Sequence, residues 1–293
     1  MNGPFPRIGI FTKPTGEGIV STLKLTCDFL QNRGHKIILD EISAQRMPSD
    51  LPVVPANKIG AECDLVIVIG GDGSLLKAAR ATAANQVPIL GINGGTLGFL
   101  ADVKPQHISH TLGAILDGEY YEEFRTMLRA TIVQRGITSE PQLALNEVVI
   151  HHGDIARLIE FQVFINDVFV VAQRADGLIT STPTGSTAYA LSGGGPIVYP
   201  TLKVLTLMPM FPHALNTRPI VIDDNSKIRL VIDPSNTIDA KFSCDGQTHI
   251  SLMPGDEVLI QANPNHLRLL HPKTYNYFAV LREKLGWNLH PKE

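Results

Sequence analysis

An acid stands in this chain where an anion would be expected to dock. Residues 70–74 read Gly-Gly-Asp-Gly-Ser, directly after an apolar run and directly before a helical pattern. A strand feeding a glycine turn and then a helix N-terminus leaves free N–H groups pointing outward, and glycine lets phosphate approach the backbone. Gly70, Gly71, Gly73 and Ser74 are therefore a candidate phosphate loop, although a plain turn capped by Asp72 has the same composition. The stretch is neither GxGxxG nor a Walker A loop, because the GK[ST] ending is missing. A carboxylate repels phosphate. It makes chemical sense against a hydroxyl or a metal held near the phosphates, as the base of a phosphoryl transfer.

Three other clusters carry chemistry. Residues 91–102, GINGGTLGFLAD, also follow an apolar run. In a doubly wound sheet the loops at strand C-termini line the ligand crevice, so two glycine loops could face one site; a tight turn before the next helix reads equally well. Residues 175–197 crowd Ser181, Thr182, Thr184, Ser186, Thr187, Tyr189 and Ser192 among glycines and prolines. Such a stretch forms no conventional amphipathic element and offers hydroxyls and backbone to a polar ligand. Interleaved Ala188, Tyr189 and Ile197 argue against a flexible linker. Asn146-Glu147 interrupts the apolar run LALNEVVIH. That suits a strand end, but Asn also pairs with an adenine or ribose edge and Glu accepts from ribose hydroxyls.

The elements that must position these residues fall into two patterns. Up to about Tyr120 short apolar strands alternate with helices: strands at 7–13, 35–40, 63–70 and 87–93, and helical spacing in Ile19, Val20, Leu23, Cys27 and Leu30, in 74–83, and in Ile108, Leu112, Ile115 and Leu116. This predicts a parallel sheet with helices on both sides, a Rossmann-like α/β domain. From there to about Leu270 the chain reads as short Val-, Ile- and Phe-rich strands, with a hairpin at Asn166-Asp167, which predicts an antiparallel β-rich domain. Tyr277, Val280, Leu281, Lys284 and Leu285 restore helical spacing, and this last helix is expected to pack on the first domain. The expected domains are 1–122 with 271–293, and 123–270.

A net charge of −3 without a Lys/Arg block gives no reason to expect nucleic acid or an anionic membrane as partner. No apolar run approaches a membrane span, and the first residues lack the pattern of a secretion signal. Cys27, Cys63 and Cys244 are far apart and not in CxxC spacing, so they read as packing residues of a protein in a reducing cytoplasm. His151 and His152 adjoin and would point to opposite faces of a strand, and His213 and His249 are isolated; no dedicated metal cage is expected.

The order of GGDGS at 70–74, NE at 146–147, ADG at 175–177, TPTGSTAYALSGGGPI at 182–197 and CDGQ at 244–247 resembles bacterial NAD kinases over nearly the whole chain. GGDG alone also resembles lipid kinases and 6-phosphofructokinases; the long TPTGSTAY string is the diagnostic part. Ser74 stands where many relatives carry Thr, and Ala175 where some carry Ser. The resemblance implies transfer of the terminal phosphoryl group of ATP, or of polyphosphate, to the 2′-hydroxyl of the adenosine ribose of NAD. It implies Asp72 as the base, and Gly73, Asn146, Glu147, Asp176, Thr187, Ala188, Tyr189, Ala190, Leu191 and Ser192 around the dinucleotide. Arg157, Arg174 and Gln247 stand where relatives often carry ligand contacts. Mg²⁺ is expected to arrive with ATP, and a homo-oligomer, dimer or tetramer, with the site completed across a subunit contact. The other readings are a lipid or sugar kinase on the same GGDG scaffold, a non-catalytic dinucleotide-binding protein, and a dehydrogenase. The last should show GxGxxG after the first strand, where this chain has TKPTGEG.

Overall fold

The computed structural model describes residues 4–16, 18–94, 98–153, 157–237 and 239–287. The chain divides into two compact units, Met1–Phe124 with Leu267–Glu293, and Arg125–His266.

The first unit is built on a six-stranded sheet in the order Lys36–Leu39, Arg7–Thr12, Leu65–Gly70, Ile89–Asn93, Leu267–Pro272, Tyr120–Arg125. The first five are joined by parallel pairings. Strand Leu65–Gly70 lies in the middle and is buried along its whole length, as its uninterrupted apolar run requires of a strand covered on both faces. Helices Ile19–Asn32 and Ile108–Leu116 close one core with it, through Leu23, Cys27, Leu30, Leu112 and Ile115. Val20, which shares the helical spacing, is instead 44% exposed. It falls just outside the apolar stripe of the helix, and a branched residue there is tolerated on the surface. Gly34 ends this helix at φ +80°, a conformation glycine adopts without a steric cost. The C-terminal helix Tyr277–Leu285 belongs to this unit. Asn276 caps it through Ala279 N, and Tyr277 and Leu281 are buried.

The second unit is a β-sandwich. One sheet runs Val168–Ala175, Ile159–Ile165, Ile228–Ile232, Glu257–Ala262, Leu128–Gln134, Ile137–Thr138, with Gln142–Ala144 also on Leu128–Gln134. The other runs Ile220–Asp223, Val204–Met210, Gly177–Ser181, Glu147–His152, Ala240–Cys244, Thr248–Leu252. Every pairing is antiparallel. Alternate residues of both sheets, among them Ile132, Phe161, Leu230, Ile150, Leu178 and Phe242, form one core. The hairpin at Asn166-Asp167 has φ of 50° and 63°, the left-handed pair that matches strand twist. Cys27, Cys63 and Cys244 are all buried and form no disulfide, and no helix among the described residues is long and apolar enough to cross a membrane.

Candidate functional site

In the first unit, strand Leu65–Gly70 delivers the chain into Gly71, which is extended, and helix Asp72–Thr82 begins at the acid itself. Asp72 does not bond its own helix end as a cap would. Its Oδ2 accepts from Phe99 N at 2.9 Å and its Oδ1 from Leu100 N at 3.0 Å. Both donors lie in the second glycine cluster. The two clusters also touch directly, because Gly94 N donates to Gly70 O at 2.8 Å. Glycine eases this contact at two positions. A Cβ on Gly98 would lie 2.1 Å from Asp72 Oδ1, and one on Gly94 3.1 Å from Gly70 Cα. Gly71 and Gly73 by contrast face open space. The result is a carboxylate held from one side by two N–H groups, at a helix start with unobstructed backbone. Each oxygen retains a further lone pair for a hydroxyl. The middle of the second cluster, Gly95, Thr96 and Leu97, lies outside the described residues.

The second unit carries the rest. Asn146-Glu147 does not interrupt one strand, as the sequence suggests. It is the corner at which the chain leaves strand Gln142–Ala144 in one sheet and enters Glu147–His152 in the other. The corner is organised by Asp245, whose carboxylate accepts from Leu145 N at 3.1 Å, Asn146 N at 2.8 Å and Glu147 N at 3.3 Å. Asp245 stands at φ +50° in the turn after strand Ala240–Cys244, beside Gly246 at +61°. Thr182 closes the corner from the other side, with Oγ1 donating to Leu145 O at 2.6 Å and N to Asn146 O at 2.9 Å. Gly185 packs against Asn146, where a Cβ would meet the carbonyl oxygen at 2.2 Å.

Glu147 is thereby buried, with Oε2 left without a hydrogen-bond partner. Burial, and then the charge of Asp245, push its carboxyl up to about 8. The shift favours the protonated form of Glu147, which can donate as well as accept.

The hydroxyl-rich stretch splits in two. Ser181, Thr182, Thr184 and Ser186 are buried, and most of their hydroxyls bond inside the unit: Ser181 to Thr182 O, and Ser186 to Pro183 O and Val198 N. The expectation that they serve a ligand is corrected accordingly. A short 3-10 turn, Thr184–Thr187, and one helical turn, Tyr189–Ser192, follow, where no regular element was expected. Tyr189 and Ser192 are exposed, Thr187, Ala188 and Leu191 half-buried, and Ala190 fully buried against Val149, Ile179 and Met208. Ala190 has no exposed surface, and its carbonyl accepts from Gly195 N at 2.9 Å. Tyr189, Ser192, Gly193 and Gly194 line a cavity of about 620 Å³ with Met210, Phe211 and Arg218. A second cavity of about 460 Å³, lined by Arg129, Lys227, Arg229 and the hairpin residue Asp167, contains none of the candidate site residues.

Asp176 precedes strand Gly177–Ser181, whose register sets Ser181 opposite Glu147 and Gly177 opposite His151. Asp176 and Glu147 thus sit at opposite ends of paired strands, five residues or roughly 17 Å apart. Arg174, exposed and 3.6 Å from Glu160 Oε1, lies at the Asp176 end, while Gln247 follows Asp245 at the Glu147 end. Arg157 is exposed. Sequence reading assigned no role to Asp245, although the CDGQ motif contains it. It also passed over Arg125, fully buried and directed at Thr184 Oγ1 at 3.4 Å.

Two family models match the chain: the ATP-NAD kinase N-terminal domain over residues 8–120 and the ATP-NAD kinase C-terminal domain over 145–271. The NAD kinase of Shewanella baltica (strain OS155) is 46% identical over 287 residues, covering 98% of this chain and 93% of that protein. The crystal structure of yeast NADH kinase complexed with NADH has a TM-score of 0.91 at 26% identity, over 99% of this chain and 90% of that one. An NAD kinase from Archaeoglobus fulgidus shares the fold at a TM-score of 0.76 and 24% identity, over 96% and 98%. The acid at the glycine turn, the Asp245-organised corner and both matched domains lead to one statement: the chain belongs to the NAD kinase family.

Proposed function

We propose that the chain transfers the terminal phosphoryl group of ATP to the 2′-hydroxyl of the adenosine ribose of NAD, with Asp72 as the base. The observation that carries this reading is the Asp72 carboxylate, oriented by Phe99 N and Leu100 N at the start of a helix behind open glycines. A ribose hydroxyl is a poor nucleophile, and a fixed carboxylate orients it and takes its proton as the oxygen attacks. Phosphoryl transfer otherwise needs positioning and charge neutralisation rather than covalent help. Gly70, Gly71, Gly73 and Ser74 offer backbone and hydroxyl to the phosphates. In the second unit, the resemblance to NAD kinases assigns Asn146, Glu147, Asp176, Arg174 and the Thr187 to Ser192 turn to binding the dinucleotide. Arg157 and Gln247 complete the contacts.

A divalent cation such as Mg²⁺, entering with ATP, supplies the charge neutralisation when bound. Among the described residues no group of three His, Cys, Asp or Glu side chains is arranged to hold an ion. We place the protein in the cytoplasm, which suits three buried cysteines in no disulfide. A homo-oligomer suits the exposed Val168, Phe169 and Val170 on one edge strand and Ile220 and Val221 on another.

The test is Asp72→Asn in an assay for NADP formation, with ATP and polyphosphate as separate donors. Turnover falls by about 10²- to 10⁴-fold with the circular dichroism spectrum unchanged; full activity sinks the assignment of the base.

A further inference from the structure

We propose that His271 is a positioning residue for Asp72, acting through residues 98–103. The inference rests on the reading of Asp72 as the base.

His271 lies near the end of strand Leu267–Pro272 and is fully buried. Its Nδ1 contacts Asp102 Oδ2, and its Nε2 lies 3.5 Å from Glu123 Oε2. The Tyr275 ring stacks on the imidazole at 3.8 Å between centroids and 13° between planes. Glu123 is buried and Asp102 largely so, with side-chain exposures of 1% and 10%. Three ionisable groups packed together inside a fold are costly to desolvate, and well-packed apolar residues would stabilise the unit as well or better. Two carboxylates on one imidazole hold together only with a proton on each ring nitrogen or on a carboxyl oxygen, so the cluster acts as a single cross-link. Such a link fixes geometry more than it adds stability.

What it fixes follows from chain position. Asp102 comes two residues after Leu100, and Phe99 N and Leu100 N are the donors that hold Asp72. The far side of Asp102 is tied by backbone: Asn93 N donates to Val103 O at 2.8 Å and Val103 N to Gly91 O at 3.2 Å. Gly91 lets Ala101 lie against strand Ile89–Asn93, since a Cβ there would be 2.7 Å from Ala101 Cα. The Asp102 side chain is the remaining handle, and His271 holds it. Strand Leu267–Pro272 lies between Ile89–Asn93 and Tyr120–Arg125 in the sheet, so His271 reaches Asp102 and, on the neighbouring strand, Glu123. On the C-terminal helix, Lys284 Nζ lies over the Phe99 ring, 5.9 Å from its centre.

The test is His271→Gln, read three ways. Turnover falls about tenfold or more while KM for NAD and for ATP stays within about twofold, because the residue orients the base and touches neither substrate. Amide hydrogen exchange at Phe99 and Leu100 accelerates at least about tenfold, while exchange in strand Leu65–Gly70 is unchanged. In the Asp72→Asn background His271→Gln removes little further activity. Asp102→Asn, nearly isosteric, gives the same three readings where the histidine variant does not fold. Wild-type exchange at Phe99 and Leu100, a loss confined to KM, or losses that multiply in the double variant each overturn the proposal. Full activity of Asp72→Asn alone would overturn the base assignment, and the exchange reading would still report on His271.

Discussion

Glu147 gives the most quantitative prediction. Its carboxyl is pushed up to about 8 by burial and by the charge of Asp245, from an ordinary 4.5. The folded state therefore binds more protons than the unfolded chain between those values, so stability falls as pH rises through that window. The contribution is fully present below about 4.5 and lost as pH passes about 8. Each pH unit inside the window is worth about 1.4 kcal/mol, and the whole window roughly 5 kcal/mol. The perturbation is Glu147→Gln, which keeps the shape and cannot ionise. Urea unfolding of both proteins, followed by circular dichroism at pH 5, 6, 7, 8 and 9, reads the difference. Wild type loses stability relative to Glu147→Gln by roughly 1.4 kcal/mol per unit from pH 5 to 8, and the difference levels off above that. The two proteins are compared at each pH, so titration of every other group cancels to first order. A difference that stays flat from pH 5 to 9 refutes the reasoning, and with it the protonated form of Glu147.

Other expectations follow from the same contacts. Gly98→Ala places a Cβ 2.1 Å from Asp72 Oδ1, so the carboxylate must move; turnover falls about as far as in Asp72→Asn, while thermal unfolding shifts little. Gly185→Ala drives a Cβ into Asn146 O at 2.2 Å and breaks the corner; it destabilises by about 2 kcal/mol or more and weakens NAD binding in calorimetry. Cys27 and Cys63 thiols are pushed up to about 12, chiefly by burial. Neither reacts with iodoacetamide at pH 8 in the folded protein, and both react in urea, as mass spectrometry of the peptides shows.

The fold was legible where periodicity decides it. The unbroken run of residues 65–69 said buried strand, and Leu23, Cys27 and Leu30 marked the buried face of their helix. The hairpin at Asn166-Asp167 was legible because only a few residue pairs adopt its left-handed turn. A candidate site stands out in the sequence only where a residue type conflicts with its surroundings, as Asp72 does among glycines. The hydroxyl-rich stretch shows why that rule has limits. Thr182 and Ser186 look no different in sequence from Thr187 and Ser192. The first two satisfy backbone groups of the corner and of Val198, and only a partner remote in sequence reveals it. The corner at Asn146-Glu147 had the same difficulty. A polar pair between apolar residues reads as one strand, and the carboxylate that turns it into a junction comes from Asp245, 99 residues from Asn146. His271 and Asp102 are farther still, 169 residues apart. In both places a buried acid is held by groups distant in the chain, one of them fixing the residues beside Glu147 and the other the loop that holds Asp72. Local sequence names polar groups that are out of place among their neighbours. The groups that aim them are set by pairings between strands, and these became visible only when the sheets were formed.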